Sequence, residues 1–251
     1  MIDIHSHLLP GVDDGSRTVE RSVEVLTRFA ADGVTRLVCT PHLNATDAAI
    51  APHEHYAAVF AELVAAAPAG VALDLGWEIM LDVPGADLTL PHLSLGGSTA
   101  VLVEFPRSGV PTGASAELLR ISRSGRVPVV AHPERYFGCS IDAVDEWRRA
   151  GAAIQTDAAM LLGSGQMAEL AKSLLEEGLV DCLASDNHGD SRSLARTRDW
   201  LIEIGAPEQA EVLTTVNPGR LLRDERPLPV APVRVHTGAL ARLRDLFRRR
   251  R

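Results

Sequence analysis

Residues 127–136 read VPVVAHPERY. The run 127–131 is apolar throughout, and His132, Glu134 and Arg135 follow it at once. A strand that is apolar at every position is buried on both faces, as in a parallel sheet covered by helices. Chemistry-bearing side chains then collect past one end of the strand. The same device recurs along the chain. Strand candidate 2–4 runs into His5 and His7, 35–39 into His42, and 71–76 into Glu78. Candidate 100–105 carries Glu104, and 180–184 leads to Asp186 and His188. Candidate 152–155 is a seventh apolar run. Amphipathic segments lie between the strands. Residues 16–33, SRTVERSVEVLTRFAADG, place Val19, Val23, Leu26 and Ala30 on one face, with Ser16 as cap and Gly33 as stop. Segments 53–70, 115–125, 143–151 and 166–178 read the same way, whereas 84–97 reads as loop with short turns.

Seven strand–helix units within 251 residues fit a parallel barrel or a doubly wound open sheet. The polar residues favour the barrel. Its strand ends converge on one mouth, whereas an open sheet would spread residues from six strands along a line. The fold class expected is therefore α/β, a distorted (β/α)7 TIM-like barrel.

The chemistry follows from residue type and spacing. In MIDIHSHLLPGVDDG, His5 and His7 are two apart and point the same way on a strand, with Asp13 and Asp14 close behind. Imidazoles together with carboxylates suit divalent transition ions. His42, Glu78, Glu104, His132, Asp186 and His188 complete a set too large for one ion, so two or three divalent cations are expected. Such clusters activate water as hydroxide and clamp phosphoryl oxygens. Arg135 and Arg192, in the same segments, suit a phosphate or carboxylate substrate. Phosphate-ester hydrolysis is the natural reaction, and amide or lactone hydrolysis competes with it.

Composition narrows the class. Hydrophobic residues at 46% and charged residues at 23% describe a globular chain. A net charge of -8 argues against a nucleic-acid partner. Three scattered cysteines imply no disulfide framework and fit a reducing cytosol. There is no phosphate-binding glycine loop ending in Lys-Ser or Lys-Thr, no GxSxG, and no cysteine followed six residues later by arginine. The charge is uneven: residues 234–251 sum to +6 and the rest to -14. Three parts are expected, a metallophosphatase barrel over 1–226, a proline-rich linker over 227–233 and a basic amphipathic tail over 234–251. The tail suits weak contact with an anionic surface such as the inner membrane face.

The segments DIHSHLLPGVDDG, TPHLN, GWEI, VEF, AHPERY and SDNHG resemble the bacterial polymerase-and-histidinol-phosphatase (PHP) superfamily. The likeness is strongest to its manganese-dependent protein-tyrosine phosphatases from capsule and exopolysaccharide gene clusters, and runs from Met1 to about Asn217–Pro218. The resemblance implies a PHP-fold barrel with a trinuclear manganese site, in which iron, zinc or magnesium could substitute. It implies His5, His7, Asp186 and a bridging Glu78 on one ion. His42 and His188 would hold a second, with a carboxylate from Asp13 or Asp14, and Glu104 and His132 a third with Glu78. Arg135 and Arg192 would hold the phosphate, and His188 or His42 would assist proton movement. A metal-activated hydroxide would displace the phenolate directly. The partner implied is the phosphotyrosine tail of a polysaccharide-assembly kinase, met in the cytoplasm. The alternatives are a histidinol-phosphate or other small phosphomonoester phosphatase, or a phosphopeptide-binding module without activity. The loop between His42 and His53 departs from the family in having neither lysine nor arginine.

Overall fold

A computed structural model describes residues 1–235 of the chain. Its strands are β1 (Ile2–Ser6), β2 (Arg36–Cys39), β3 (His42–Asn44), β4 (Ala72–Leu75), β5 (Glu78–Met80), β6 (Ala100–Glu104), β7 (Val127–Ala131), β8 (Ala153–Asp157) and β9 (Cys182–Ala184). The helices that interleave them are α1 (Val19–Ala31), α2 (His53–Ala66), α3 (Ala114–Arg123), α4 (Ile141–Arg149), α5 (Ala158–Leu161) and α6 (Gln166–Glu176). After β9 come α7 (Leu194–Glu203), α8 (Pro207–Glu211) and α9 (Asn217–Leu221). Short 3-10 turns at Pro91–Leu93 and Leu95–Gly97 fall in the segment read as loop.

All strand pairings are parallel, in the orders β1–β2–β4 and β3–β5–β6–β7–β8–β9. Only Thr40 and Pro41 separate β2 from β3, and only Gly76 and Trp77 separate β4 from β5. Each pair is one interrupted strand, since Gly76 N–H donates to the Cys39 carbonyl at 2.9 Å and Glu78 N–H to that of Pro41 at 3.0 Å. Gly76 suits this kink because a Cβ there would stand 2.8 Å from Leu95 Cδ2 and 3.2 Å from its Cα. The other side closes through a seam. Asp186 N–H donates to the His5 carbonyl at 3.0 Å, His7 N–H donates to that of Asn187 at 2.8 Å, and Ser6 bridges Asn187. The result is the expected distorted seven-strand barrel.

The barrel's filling explains how the site arises. Ile4, Val38, Leu102, Val129, Ala131, Ala153, Cys182 and Ala184 form one buried cluster inside it. Alternate residues share a face. Ala100 and Leu102 are therefore followed on that face by Glu104, Ala153 by Gln155 and Asp157, and Ala184 by Asp186. The inward face is apolar below and polar at the strands' C-terminal end. The outer layer packs helices on the sheet, with Leu26, Phe29, Leu118, Val144, Trp147 and Leu174 all buried. Each such side chain contributes about 1.5–3 kcal/mol.

Local details differ from the sequence reading. Thr18, not Ser16, caps α1, its side chain accepting from Arg21 N–H at 3.2 Å. Ser16 instead accepts from the Ser22 hydroxyl at 2.8 Å. The buried stripe of α1 is Ser22, Val25, Leu26 and Phe29, one position round from the expected face. Strand β8 runs on to Asp157, past the expected end at residue 155. The segment 227–233, expected as a linker, packs on the barrel through buried Val230 and Val233. Among the described residues no helix is long and apolar enough to cross a membrane.

The basic tail, expected over 234–251, lies from residue 236 onward outside those described. Its charge alone sets an expectation. Each arginine near an anionic leaflet contributes about 1 kcal/mol. Full-length protein should sediment with anionic vesicles at low salt and less at high salt, and a version ending at Pro232 should not. Equal, negligible binding by both would end the idea.

Candidate metal centre

The strand ends bring nine of the ten predicted ligand residues into overlapping groups. These are His5–His7–Asp186, His5–Glu78–His132, His42–Glu78–Glu104 and His7–Asp14–His42–His188, each with its nitrogen and oxygen atoms within 4.8 Å of one another. Glu78, only 1% exposed, is the hub. Its carboxylate lies 2.7 Å from His132 Nε2, 2.9 Å from His42 Nδ1 and 3.3 Å from both His5 Nε2 and His7 Nε2. Asp186 Oδ1 stands 3.3 Å from His5 Nε2 and 3.2 Å from His7 Nε2. Asp14 Oδ1 lies between His42 and His188, at 3.2 and 3.3 Å from their Nε2 atoms.

Asp13 is placed differently. Its Oδ2 accepts from His7 Nδ1 at 2.7 Å, outside the ligand-capable groups. Gln155 Oε1 holds His5 Nδ1 at 2.8 Å, and the Asp186 carbonyl holds His188 Nδ1 at 3.0 Å. With Nδ1 of His5 and His7 committed to Gln155 and Asp13, Nε2 is the ring atom that each of these two histidines presents to the cluster. That arrangement orients a metal-binding imidazole and raises its basicity.

The backbone is bent to make this possible. His132 has φ of 31° and Asp186 of 46°, the left-handed region that few residues other than glycine enter. Gly15, after the double aspartate, is equally constrained. A Cβ there would stand 2.1 Å from the His7 carbonyl oxygen and 2.4 Å from His7 Cβ. Gly15→Ala must push His7 aside. It is expected to cost about 1–3 kcal/mol of stability through overpacking and about tenfold or more in metal affinity. Thermal unfolding and metal titration check this, and a variant matching wild type in both would refute the packing argument.

The electrostatics suit cations. Burial alone would raise the Glu78 pKa, but His5, His132 and His42 hold it well below the usual carboxylate range. Asp186 is likewise held down, against its burial, by His5, His7 and Arg135. Glu104 goes the other way: burial and the charge of Glu78 push it up to about 7. Its Oε2 is buried with no hydrogen-bond partner in the protein. An orphaned carboxylate oxygen beside nitrogens that are free to ligate fits a bound divalent ion. A carboxyl raised in the fold is neutral in both states below pH 4.5 and is charged at a cost above pH 7. In chelator-treated protein, Glu104→Gln is therefore expected to raise the melting temperature above pH 7 and change little below pH 4.5. The same shift at both pH values would disprove this.

Both arginines reach the centre through one atom. Asp186 Oδ2 forms an ion pair with Arg135 Nη2 at 2.5 Å and accepts from Arg192 Nη1 at 3.1 Å. Arg135 also pairs with buried Asp157, and Arg192 with Asp190 at 2.8 Å and His188 Nδ1 at 2.9 Å. A guanidinium carries five N–H donors, so each retains others for an anion. The sequence reading missed Gln155 and Asp157, although the polar residues closing the run AIQTD were the available signal. It also missed the part of Glu134, whose Oε1 accepts Asp157 N–H at 2.8 Å. Burial and the neighbouring Asp157 push Glu134 up to about 8.

Comparison with known proteins agrees with this architecture. Tyrosine-protein phosphatase YwqE of Bacillus subtilis is 26% identical over 239 residues, spanning 90% of this chain and 92% of its own. Tyrosine-protein phosphatase CpsB of Streptococcus pneumoniae is 29% identical over 243 residues, spanning 90% and 99%. A crystal structure from work on those two proteins, described as unique metal-dependent tyrosine phosphatases, superposes with a TM-score of 0.76 at 27% identity. It covers 93% of this chain and all of the solved one. The family described as capsular polysaccharide synthesis, CpsB/CapC, matches residues 1–223. A match over that span, on a barrel whose strand ends gather the same kinds of residue, makes the chain a member of the CpsB/CapC family.

Proposed function

We propose that the protein is a manganese-dependent protein-tyrosine phosphatase acting on the phosphotyrosine tail of a polysaccharide-assembly kinase. The observation that carries this reading is the convergence of Glu78, five histidines and two arginines on one barrel mouth. Relatives named as tyrosine phosphatases support the substrate class. Divalent ions held there would supply charge to polarise the phosphoryl oxygens and to acidify a water.

The chain's own residues do the rest. His5, His7 and Asp186 would hold one ion, His42, His188 and Asp14 a second, and His132 with Glu104 a third, with Glu78 shared among them. Asp13 and Gln155 orient His7 and His5. Arg135 and Arg192 grip the non-bridging oxygens with the donors Asp186 leaves free, and so favour the trigonal, charge-dispersed transition state. His42 and His188, the partly exposed members, are placed to pass a proton to solvent. A tyrosyl leaving group, with a pKa of about 10, needs little acid help.

The test compares a phosphotyrosine peptide, a phosphoserine peptide, histidinol phosphate and a sugar phosphate after chelation and manganese reloading. Clear preference for the aryl ester is expected. Preference for histidinol phosphate would move the protein to a small-molecule phosphatase, and tight phosphopeptide binding without turnover would make it a binding module.

A further inference from the structure

A cleft of about 310 Å³ opens beside His42. Leu43, Ile50, Pro52 and Tyr56 form its apolar wall, and Asn44 and Asp47 its polar edge. The segment that builds it, LNATDAAIAP at 43–52, carries one charge, on Asp47. A 3-10 turn at Ala45–Ile50 tucks Ala45 and Ala48 into the core. In such a turn residues three apart eclipse, which places Ile50 with Asp47 on the side lining the cleft. Ile50 is 78% exposed, and among the large apolar side chains of the described residues only Phe137, at 79%, is more so. Tyr56 is fixed from behind, its ring stacked on Trp77 at 4.9 Å and its hydroxyl donating to the Val12 carbonyl at 3.2 Å.

Ile50 holds its apolar side chain on the rim of a charged mouth, where an apolar ligand group would shield it from water. The cleft has the size of a small ligand pocket. His42 belongs both to its wall and to the cluster, 2.9 Å from Glu78. Cleft and cluster therefore adjoin through this one side chain, which brings the cleft within reach of the ester substituent of a phosphoryl group held at the cluster. A polyol would leave Ile50 and Pro52 against hydroxyls, whereas a planar ring covers both. We infer that this cleft is the aryl subsite, receiving the phenyl ring of the phosphotyrosyl group, with Ile50 setting the preference for aryl over alkyl phosphomonoesters. The inference rests on the phosphatase reading above.

The test uses metal-loaded full-length protein and two non-hydrolysable probes, phenylphosphonate and methylphosphonate, with binding read by calorimetry. Wild type is expected to favour the phenyl compound. Ile50→Asn should reduce that preference by about five- to tenfold, the size of one lost apolar contact, and Ile50→Leu should restore it. Because Ile50 is largely exposed, neither change threatens the fold. Equal weakening of both probes in Ile50→Asn, or an unchanged preference, would overturn the subsite. Wild type that hydrolyses the phosphotyrosine peptide yet binds both probes equally would sink the subsite alone. Wild type that hydrolyses no phosphomonoester would sink the functional reading and the subsite with it.

Discussion

Replacing Glu78 by glutamine is expected to lower kcat/KM for a phosphotyrosine peptide about 1,000-fold or more, on the order of 4 kcal/mol. Metal content should fall by about one ion per chain. Glutamine keeps the shape and removes the charge. Imidazole nitrogens from His5, His7, His42 and His132 lie within 3.3 Å of this carboxylate. Without it, cations held by those rings would repel one another with nothing between them. Every group that shares Glu78 loses a ligand at once, so the effect should exceed that of Asp14→Asn, which touches one group only. Elemental analysis and steady-state kinetics on the same preparation decide the matter. Full metal content with near-normal turnover would remove Glu78 from the centre of the site.

Arg135→Lys is expected to cost about 100-fold in kcat/KM, the range for loss of one preorganised donor to a transition state. Lysine keeps the charge but not the planar fork. Arg135 is fixed by two carboxylates, Asp157 and Asp186, and stays protonated because they outweigh its burial. Its geometry is therefore set before any substrate arrives. Inhibition by inorganic phosphate should weaken in parallel, since the fork meets the same oxygens. Unaltered phosphate inhibition with a large loss of turnover would mean that Arg135 acts only through Asp186. Arg135→Ala is the poorer probe, because it strands buried Asp157 and endangers the fold.

The barrel was legible because its signal is one-dimensional: seven apolar runs, six of them leading to polar residues at one end. The site's ligand-capable residues could be named for the same reason. What stayed hidden depends on three-dimensional facts. Asp13 and Asp14 are neighbours in sequence, and only the turn around Gly15 places one on His7 and the other between His42 and His188. Gln155 and Asp157 looked like the end of a strand, because polar residues usually mark a turn. Here β8 continues through them, since its inward face opens onto the mouth. The cap of α1 moved from Ser16 to Thr18 because the loop after Gly15 is tied to His7, where Ser16 N–H donates to its carbonyl at 2.8 Å. Two interrupted strands left no mark beyond Pro41 and Gly76.

The seam closing the barrel has a consequence for the order in which the protein can become active. It joins His5 and His7 to Asp186 and Asn187, the first strand to the last. On a ribosome adding roughly 5–20 residues per second, β1 emerges on the order of ten to forty seconds before its partner exists. Through that interval the first two histidines have no Asp186 to share an ion with. The groups His42–Glu78–Glu104 and His5–Glu78–His132 are complete by residue 132, whereas the two that include His7 wait for Asp186 and His188. Filling of the His7 positions thus becomes the last event of folding rather than its seed. Ribosome-arrested chains ending before Cys182 should retain fewer divalent ions on gel filtration than chains that have cleared the tunnel past Arg192. Equal retention by both would show that the early histidines fill without the seam.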